Sequence, residues 1–325
     1  MSPLSPDHRR PIVSVLISAY NAAPYLLEAV QSILCQTLQD FEILIVDDGS
    51  TDGTRKLIDS LSDTRIRSWR QENKGKATAL NFMLSQARGR FIAIQDADDT
   101  SDPARLERLV DRLTADPSLA AVFSGYWLIV GGRAAAPRAT WKSPPECKEE
   151  IGDFRMPAHD PTMMCRTDIA RELLFDTTLP IGQQFDFMLR LGEIYPVEVV
   201  GEPLYGYRIH YASATRSKVE LRASCVRRIV NQARVRRGLA PLSNGQFDRV
   251  HGRPSSDPSN NLINHFIDSV YLQRRDGDWR GAARTALMSL AACPLSVQSA
   301  KPFVYAFGPW AVAQMIRHRR RSKQP

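Results

Sequence analysis

The 325-residue chain reads as an α/β protein with an open, mostly parallel sheet and a basic helical extension at its C-terminal end. Three observations predict this. Short β-branched runs alternate with helical periodicity over residues 11–115, the spacing of strand–helix–strand units. Polar clusters close the first, second and fourth runs, and in such sheets ligands sit beyond the carboxyl ends of the strands. Charge is divided unevenly: residues 216–325 hold 20 Lys and Arg against 6 Asp and Glu, leaving residues 1–215 with 23 against 29. An acidic body that handles anions needs a cation, whereas a basic tail suits an anionic surface.

Ile12–Tyr20 (IVSVLISAY) has strand length and β-branched content and ends at Asn21. Leu26, Leu27, Val30, Ile33 and Leu34 then form one helical stripe. Glu42–Val46 is a second buried strand, broken by the turn-rich DDGSTDGT. A helix through Leu57, Ile58 and Leu61, a short strand at Ile66–Arg70 and a helix from Ala77 to Ala87 follow. Phe91–Ile94 is the next strand, and Pro103 opens a helix through Leu106, Leu109, Val110 and Leu113. Leu119–Val130 is apolar and strand-like, and Arg133–Cys147, rich in Pro and Ala, reads as a loop. Thr167–Leu174 and Gln183–Ile194 look helical, and Val197–His210 reads as strand. Residues 216–237 form a basic helix, Leu242–Asn260 a linker, and 261–275 and 278–292 two helical pieces.

Composition sets outer limits. With 43% hydrophobic and 24% charged residues, the chain is globular rather than disordered. The polar start MSPLSPDHRR carries no apolar export segment. Five scattered cysteines without a CxxC pair point to reduced thiols in the cytoplasm rather than a disulfide frame or a zinc site. Pro302–Ile316 is apolar and aromatic but too short to span a bilayer, and a polybasic run ends in Lys323. Residues 302–323 therefore fit a helix at an anionic membrane surface, which would place the protein at the inner face of the cell membrane. A last helix docked on the core with a solvated basic tip fits equally well. Nucleic acid is disfavoured as a partner, because no basic surface interleaved with aromatics is visible.

The run FIAIQDAD carries the chemistry. Asp96 and Asp98 are two residues apart, so in extended backbone they share a face. Carboxylates crowded in this way become favourable around a hard cation such as Mg²⁺ or Mn²⁺, which takes oxygen ligands and shares them with a diphosphate. A solvated turn capping a helix is the plainer alternative.

Four stretches in order, VSVLISAYNAAPYLLEAVQSILCQT, FEILIVDDGSTDGT, ENKGKATALN and FIAIQDADD, resemble the family 2 glycosyltransferases of the GT-A fold, a Rossmann-like three-layer sandwich. The resemblance covers residues 11–125 closely and extends loosely to 215. It implies a GT-A domain over 1–215, with a nucleotide-sugar half at 11–125, an acceptor half at 126–215 and the extension at 216–325. It also implies that Ser18, Ala19 and Asn21 approach the nucleotide, Asp48 contacts the base with Asp47 beside it, and Asn73–Gly75 flanks the nucleoside. Asp96 would lie near the ribose and Asp98 would bind the divalent metal. In YRIHYAS, Arg208 would meet phosphate and His210 the diphosphate or metal.

On the acceptor side, HDPTMMCR resembles the family's His-x-Pro-Ser/Thr segment and contains Asp160. GQQFDFMLRL departs from the pattern: Gln184 stands where an Asp general base is expected, and an amide has no useful basicity. Asp186 is retained, but on a helix it points about 200° away from position 184 and would meet Arg190 one turn on. The implied activity is inverting transfer from a nucleoside-diphosphate sugar, by family habit UDP-linked, to a saccharide or lipid-linked acceptor in cell-surface polysaccharide synthesis. The alternative is a nucleotide-sugar-binding protein impaired in catalysis at Gln184.

Overall fold

The structure is a computed structural model that describes residues 10–130, 133–209, 219–251, 258–275, 277–292 and 297–309. Its first half alternates as the periodicity predicts. Strands β1 (Val13–Ala19), β2 (Phe41–Asp48), β3 (Ile66–Gln71) and β4 (Phe91–Ile94) are joined by helices α1 (Leu26–Leu34), α2 (Thr54–Asp59) and α3 (Lys76–Gln86). These strands run parallel in the order β3-β2-β1-β4. β1, β2 and β4 are covered on both faces, which explains why they read as unbroken apolar runs rather than alternating ones.

Beyond β4 the sheet becomes antiparallel. It continues through β8 (Met164–Arg166), β6 (Ala121–Val130), β9 (Val197–Ile209) and β5 (Thr100–Ser101), with β7 (Arg133–Arg138) on β6. Helix α4 (Arg105–Ala115) buries Leu106, Leu109, Val110 and Leu113 on the core that holds Val13, Val15 and Ile17. Burying each such side chain contributes about 1.5–3 kcal/mol. The expected α/β class, with helices at the C-terminal end, is the observed one.

Two expected loops are partly regular. Within Arg133–Cys147, β7 forms beside β6, and Pro137 falls in the register irregularity between Ala135 and Arg138. Helix α5 (Pro144–Gly152) then starts from a capping box: the Ser143 amide donates to Glu146 Oε2 at 2.8 Å, with Pro144 in the first turn. The linker expected at 242–260 contains helix α9 (Asn244–His251), after α6 (Thr167–Leu173), α7 (Gln183–Ile194) and α8 (Val219–Arg236). Ser243 and Gln246 cap it in the same way, the Ser243 amide donating to Gln246 Oε1 at 2.9 Å.

The chain packs as two units. The first comprises residues 1–125 and 140–205, the second 126–139 and 206–325. In the second, α10 (Pro258–Arg275), α11 (Trp279–Ala292) and α12 (Lys301–Phe307) share a core of Ile263, Phe266, Ile267, Val270, Ala282, Ala286, Tyr305 and Ala306. Arg274 donates to the carbonyls of Tyr305 and Gly308, both at 2.7 Å, and so caps α12. Of the segment expected at a membrane surface, 302–309 is described. There Pro302, Tyr305 and Ala306 are buried and Val304 and Phe307 exposed, whereas 310–323 lies outside the described residues. Among the described residues, no helix is long and apolar enough to cross a membrane.

Gly89 sits hard against the backbone of β1: a Cβ there would fall 2.5 Å from the Ser14 amide nitrogen. Because the obstruction is backbone of β1, Gly89→Ala should destabilise by about 1–3 kcal/mol. A lowered urea midpoint at unchanged m would register this, and an unchanged midpoint would refute the stated crowding.

Candidate active site

The parallel register sets Ala19 opposite Asp47 and Asp48 opposite Gln71, so the loops after β1, β2 and β3 emerge side by side. Asn21, at φ 50°, ties two of them together: its amide donates to Ser50 Oγ at 3.0 Å and its Oδ1 accepts from the Thr51 amide at 2.9 Å. Asp47, fully buried, accepts from the Ser50 amide at 2.9 Å and has Arg70 Nε at 3.5 Å. Both side chains build the turn. Ser18 and Ala19 stand at the end of β1, the first half-buried and the second buried.

Asp48 organises the neighbouring loop. Its carboxylate accepts from Gln71 Nε2 at 2.7 Å, the Lys74 amide at 2.9 Å and the Gly75 amide at 3.0 Å. Gly75 (φ 86°) immediately precedes α3, so Asp48 also lies at the positive end of that helix. Asn73 is exposed at the tip of this loop, and its amide passes where a Cβ on Gly49 (φ 77°) would come within 2.7 Å.

The acidic residues do not continue β4 in extended form, as the Asp-x-Asp spacing suggests. β4 stops at Ile94, and the Asp99 amide donates to the Asp96 carbonyl at 3.2 Å, closing a turn. The turn gathers three carboxylates, because Asp99 joins Asp96 and Asp98 with ligand oxygens within 4.8 Å of one another. Lys76, the first residue of α3, places Nζ 2.5 Å from Asp96 Oδ1. Burial works against the Lys76 charge, but Asp96, Asp160 and Asp98 outweigh it and hold the ammonium above its ordinary pKa. Burial raises the Asp96 pKa, Asp98 and Asp160 add to the rise, and Lys76 opposes it.

Two groups hold this turn from behind. Tyr205 Oη accepts from the Asp96 amide at 3.1 Å and donates to Asp99 Oδ2 at 2.9 Å. Burial, then Asp99 and Asp96, push the phenol pKa well up, so it remains a donor. Arg105 is fully buried, with its guanidinium 4.8 Å from the Tyr205 ring. It donates to the carbonyls of Ile94 (2.9 Å) and Pro161 (2.8 Å), to Gln95 Oε1 (3.1 Å) and to Ser101 Oγ (2.9 Å). Burial lowers its pKa to about 10, still charged at neutral pH.

Asp160 opens a 3₁₀ turn (Asp160–Thr162) whose Pro161 carbonyl Arg105 holds. His159 Nδ1 is 3.4 Å from Asp160 Oδ1, and its ring stands edge-on to Tyr205. On α7, Gln184 is buried, and Asp186 accepts from Arg190 Nε at 2.8 Å. Arg190 also donates to the carbonyls of Leu173 (2.5 Å) and Leu174 (2.6 Å), so Asp186 belongs to a clamp between α6 and α7. Arg208 is buried on β9 in the second unit, and His210 lies outside the described residues.

Sequence reasoning assigned no role to Lys76, Asp99, Arg105 or Tyr205. Arg105 had a signal: it is four residues before Leu109, on the apolar stripe of α4, where a charge needs a buried partner. The turn itself suits a divalent cation. Three carboxylates offer hard oxygen donors, too few to complete a coordination shell alone and therefore compatible with a shared diphosphate.

Comparison with known proteins agrees with this architecture. Residues 14–172 match the family model "Glycosyl transferase family 2". An uncharacterized glycosyltransferase of Methanocaldococcus jannaschii is 31% identical over 209 residues, covering 62% of this chain and 71% of the relative. The chondroitin synthase of Escherichia coli is 29% identical over 244 residues, 73% of this chain but 35% of that protein. Residues 1–349 of S. aureus TarS, solved in complex with UDP-GlcNAc, share the fold at a TM-score of 0.59 and 17% identity, covering 94% of this chain and 91% of that one. The chain belongs to glycosyl transferase family 2. It spans 66%, 35% and 26% of the first three curated relatives it matches.

Removing the hydroxyl that bridges Asp96 and Asp99 tests the support of the turn. Tyr205→Phe should cost about 1–3 kcal/mol in stability, since a buried backbone N–H loses its acceptor. Equal denaturation midpoints for variant and parent would contradict this. Gly49→Ala should be more damaging, combining strain at positive φ with the Asn73 contact; chemical denaturation compares the two.

Proposed function

We propose that the protein is an inverting glycosyltransferase that moves a sugar from a nucleoside-diphosphate sugar, UDP-linked, to a saccharide or lipid-linked acceptor. The observation that carries this reading is the three-carboxylate turn beside the Asp48-held loop, at the carboxyl edge of the parallel strands. Residues 11–125 then serve the donor and 126–215 the acceptor. A uridine donor is supported by the UDP-GlcNAc complex of TarS. A role in polysaccharide synthesis is supported by relatives named chondroitin synthase, hyaluronan synthase and teichuronic acid biosynthesis glycosyltransferase. The reaction would take place at the cytoplasmic face of the cell membrane, with 302–323 at the lipid surface and 216–325 as its basic extension.

In this mechanism the acceptor oxygen bonds to the anomeric carbon as the carbon–oxygen bond to the diphosphate breaks, and the electron pair leaves with the nucleotide. Asp96, Asp98 and Asp99 would hold Mn²⁺ or Mg²⁺, which supplies Lewis-acid stabilisation of the departing diphosphate. The loop 73–75 and Asp48 form the wall for the nucleoside. Lys76 offsets the charge of the acidic turn, and Tyr205 and Arg105 fix its backbone. The hydroxyl proton needs a base. Gln184 cannot take it and Asp186 is bound to Arg190, so Asp160, whose charge is felt by both Lys76 and Asp96, fills that role.

Gln184 also motivates a second reading, a nucleotide-sugar-binding protein without transfer activity. Thermal melting with UDP and Mn²⁺ tests the donor site. Saturating ligand should add about 2.7 kcal/mol at a hundred times Kd, raising Tm by several degrees in the parent but not in Asp98→Asn. No shift with any nucleotide would sink both readings. Asp160→Asn should lower turnover by about 10²–10⁴ while keeping the donor-induced shift, and retention of full turnover would remove Asp160 from the mechanism. An inactive parent that gains turnover as Gln184→Asp would establish the second reading.

A further inference from the structure

At the opposite end of β1 and β4, a separate groove of about 520 Å³ is lined by five arginines, Arg10, Arg88, Arg90, Arg166 and Arg171, with Asp168 as the single acid among its lining residues. The length of β4, roughly 13 Å at 3.3 Å per residue, separates it from the acidic turn. Both sites lie within the first unit.

Many arginines elsewhere in the chain are matched to an acid, and those of this groove, among the described residues, are not. Arg55, Arg65, Arg67, Arg112 and Arg190 each face a carboxylate. Among the described residues, none of the five groove arginines forms a salt bridge. Two are immobilised by backbone carbonyls instead. Arg166 donates to the carbonyls of Leu119 and Leu113, both at 2.8 Å, and Arg171 donates to those of Leu84 (3.1 Å) and Ala87 (2.5 Å). Among the described residues, each keeps an outer guanidinium nitrogen that makes no hydrogen bond. Arg88 and Arg90 are exposed on either side of Gly89, with the Arg90 guanidinium 5.0 Å from the Phe91 ring.

Like charges gathered without counter-ions repel one another, and an anion that enters relieves that repulsion. Guanidinium groups held in fixed orientation suit oxyanions that accept paired hydrogen bonds. We infer that this groove is a second ligand site, which binds a soluble ligand carrying at least two phosphate groups, away from the donor site. Its two immobilised arginines favour a discrete ligand over the fluid headgroups of a bilayer. The inference stands independently of the nucleotide-sugar reading.

Calorimetric titration of the full chain with inorganic pyrophosphate in EDTA tests it, since chelation removes cation-dependent binding at the acidic turn. The expected result is saturable binding that weakens at least about tenfold in the Arg88→Gln/Arg90→Gln double variant and is unchanged in Asp98→Asn. Among the described residues neither Arg88 nor Arg90 makes a side-chain hydrogen bond, so the double variant should melt close to the parent. Arg10→Gln provides a second variant expected to act in the same direction. Absence of binding, or equal affinity in the parent and both groove variants, overturns the inference. Loss of binding in Asp98→Asn also overturns it, assigning the ligand to the donor site. Arginine-dependent binding to phosphatidylglycerol vesicles without binding to pyrophosphate overturns it in favour of a membrane contact.

Discussion

The buried guanidinium of Arg105 is the interaction on which the candidate site depends. Placing a full charge in the interior costs several kcal/mol unless geometry and hydrogen bonds offset it. Here they do so from three directions: the last carbonyl of β4, the Pro161 carbonyl of the 3₁₀ turn, and the side chains of Gln95 and Ser101. One residue of α4 thereby fixes segments that are far apart in sequence. The negative field of Asp96 and Asp99 helps keep Arg105 charged, and Arg105 in turn favours the crowding of those acids. With Lys76 on the other side, the acidic turn lies between two cations and is organised by the chain itself.

Acidic residues near the strand ends and the acceptor segment thus fall into two classes that their positions alone do not separate. Asp47, Asp48 and Asp186 direct their oxygens to backbone amides or to an arginine and act as internal fasteners. Asp96, Asp98 and Asp99 converge on one point. For Asp48 this changes how a nucleoside contact would work. The carboxylate is already committed to shaping the loop 73–75, so its influence on a base would act largely through that loop.

Elements β1, β2, β4 and α1 to α4 were legible because each buries a continuous run or stripe, and periodicity records burial directly. The convergence at the carboxyl edge was legible for the same reason, since a parallel sheet fixes which loops are neighbours. The turn at 96–99 was not, because an Asp-x-Asp spacing serves an extended strand and a tight turn equally well. Lys76–Asp96 and Arg105–Pro161 join residues 20 and 56 positions apart, and no local pattern encodes such a pair. Helices α5 and α9 start at Ser-x-x-Glu and Ser-x-x-Gln, inside stretches whose composition reads as loop. Proline and glycine content outweighed a capping signal that the structure uses in both places. The departure at Gln184 was visible at once, because it concerns chemical type rather than geometry.

The division of the chain into two units falls inside strands: β6 crosses from one to the other after Gly125, and β9 does so after Tyr205. Residues 126–139 accordingly belong with the C-terminal helices, and α10 and α11 pack on β7. The described helices of the extension therefore share one unit with β7. Cutting the chain after residue 205 would remove the end of β9 and strip the β6–β7 hairpin of its apolar cover, leaving a ragged sheet edge open to pairing with other chains.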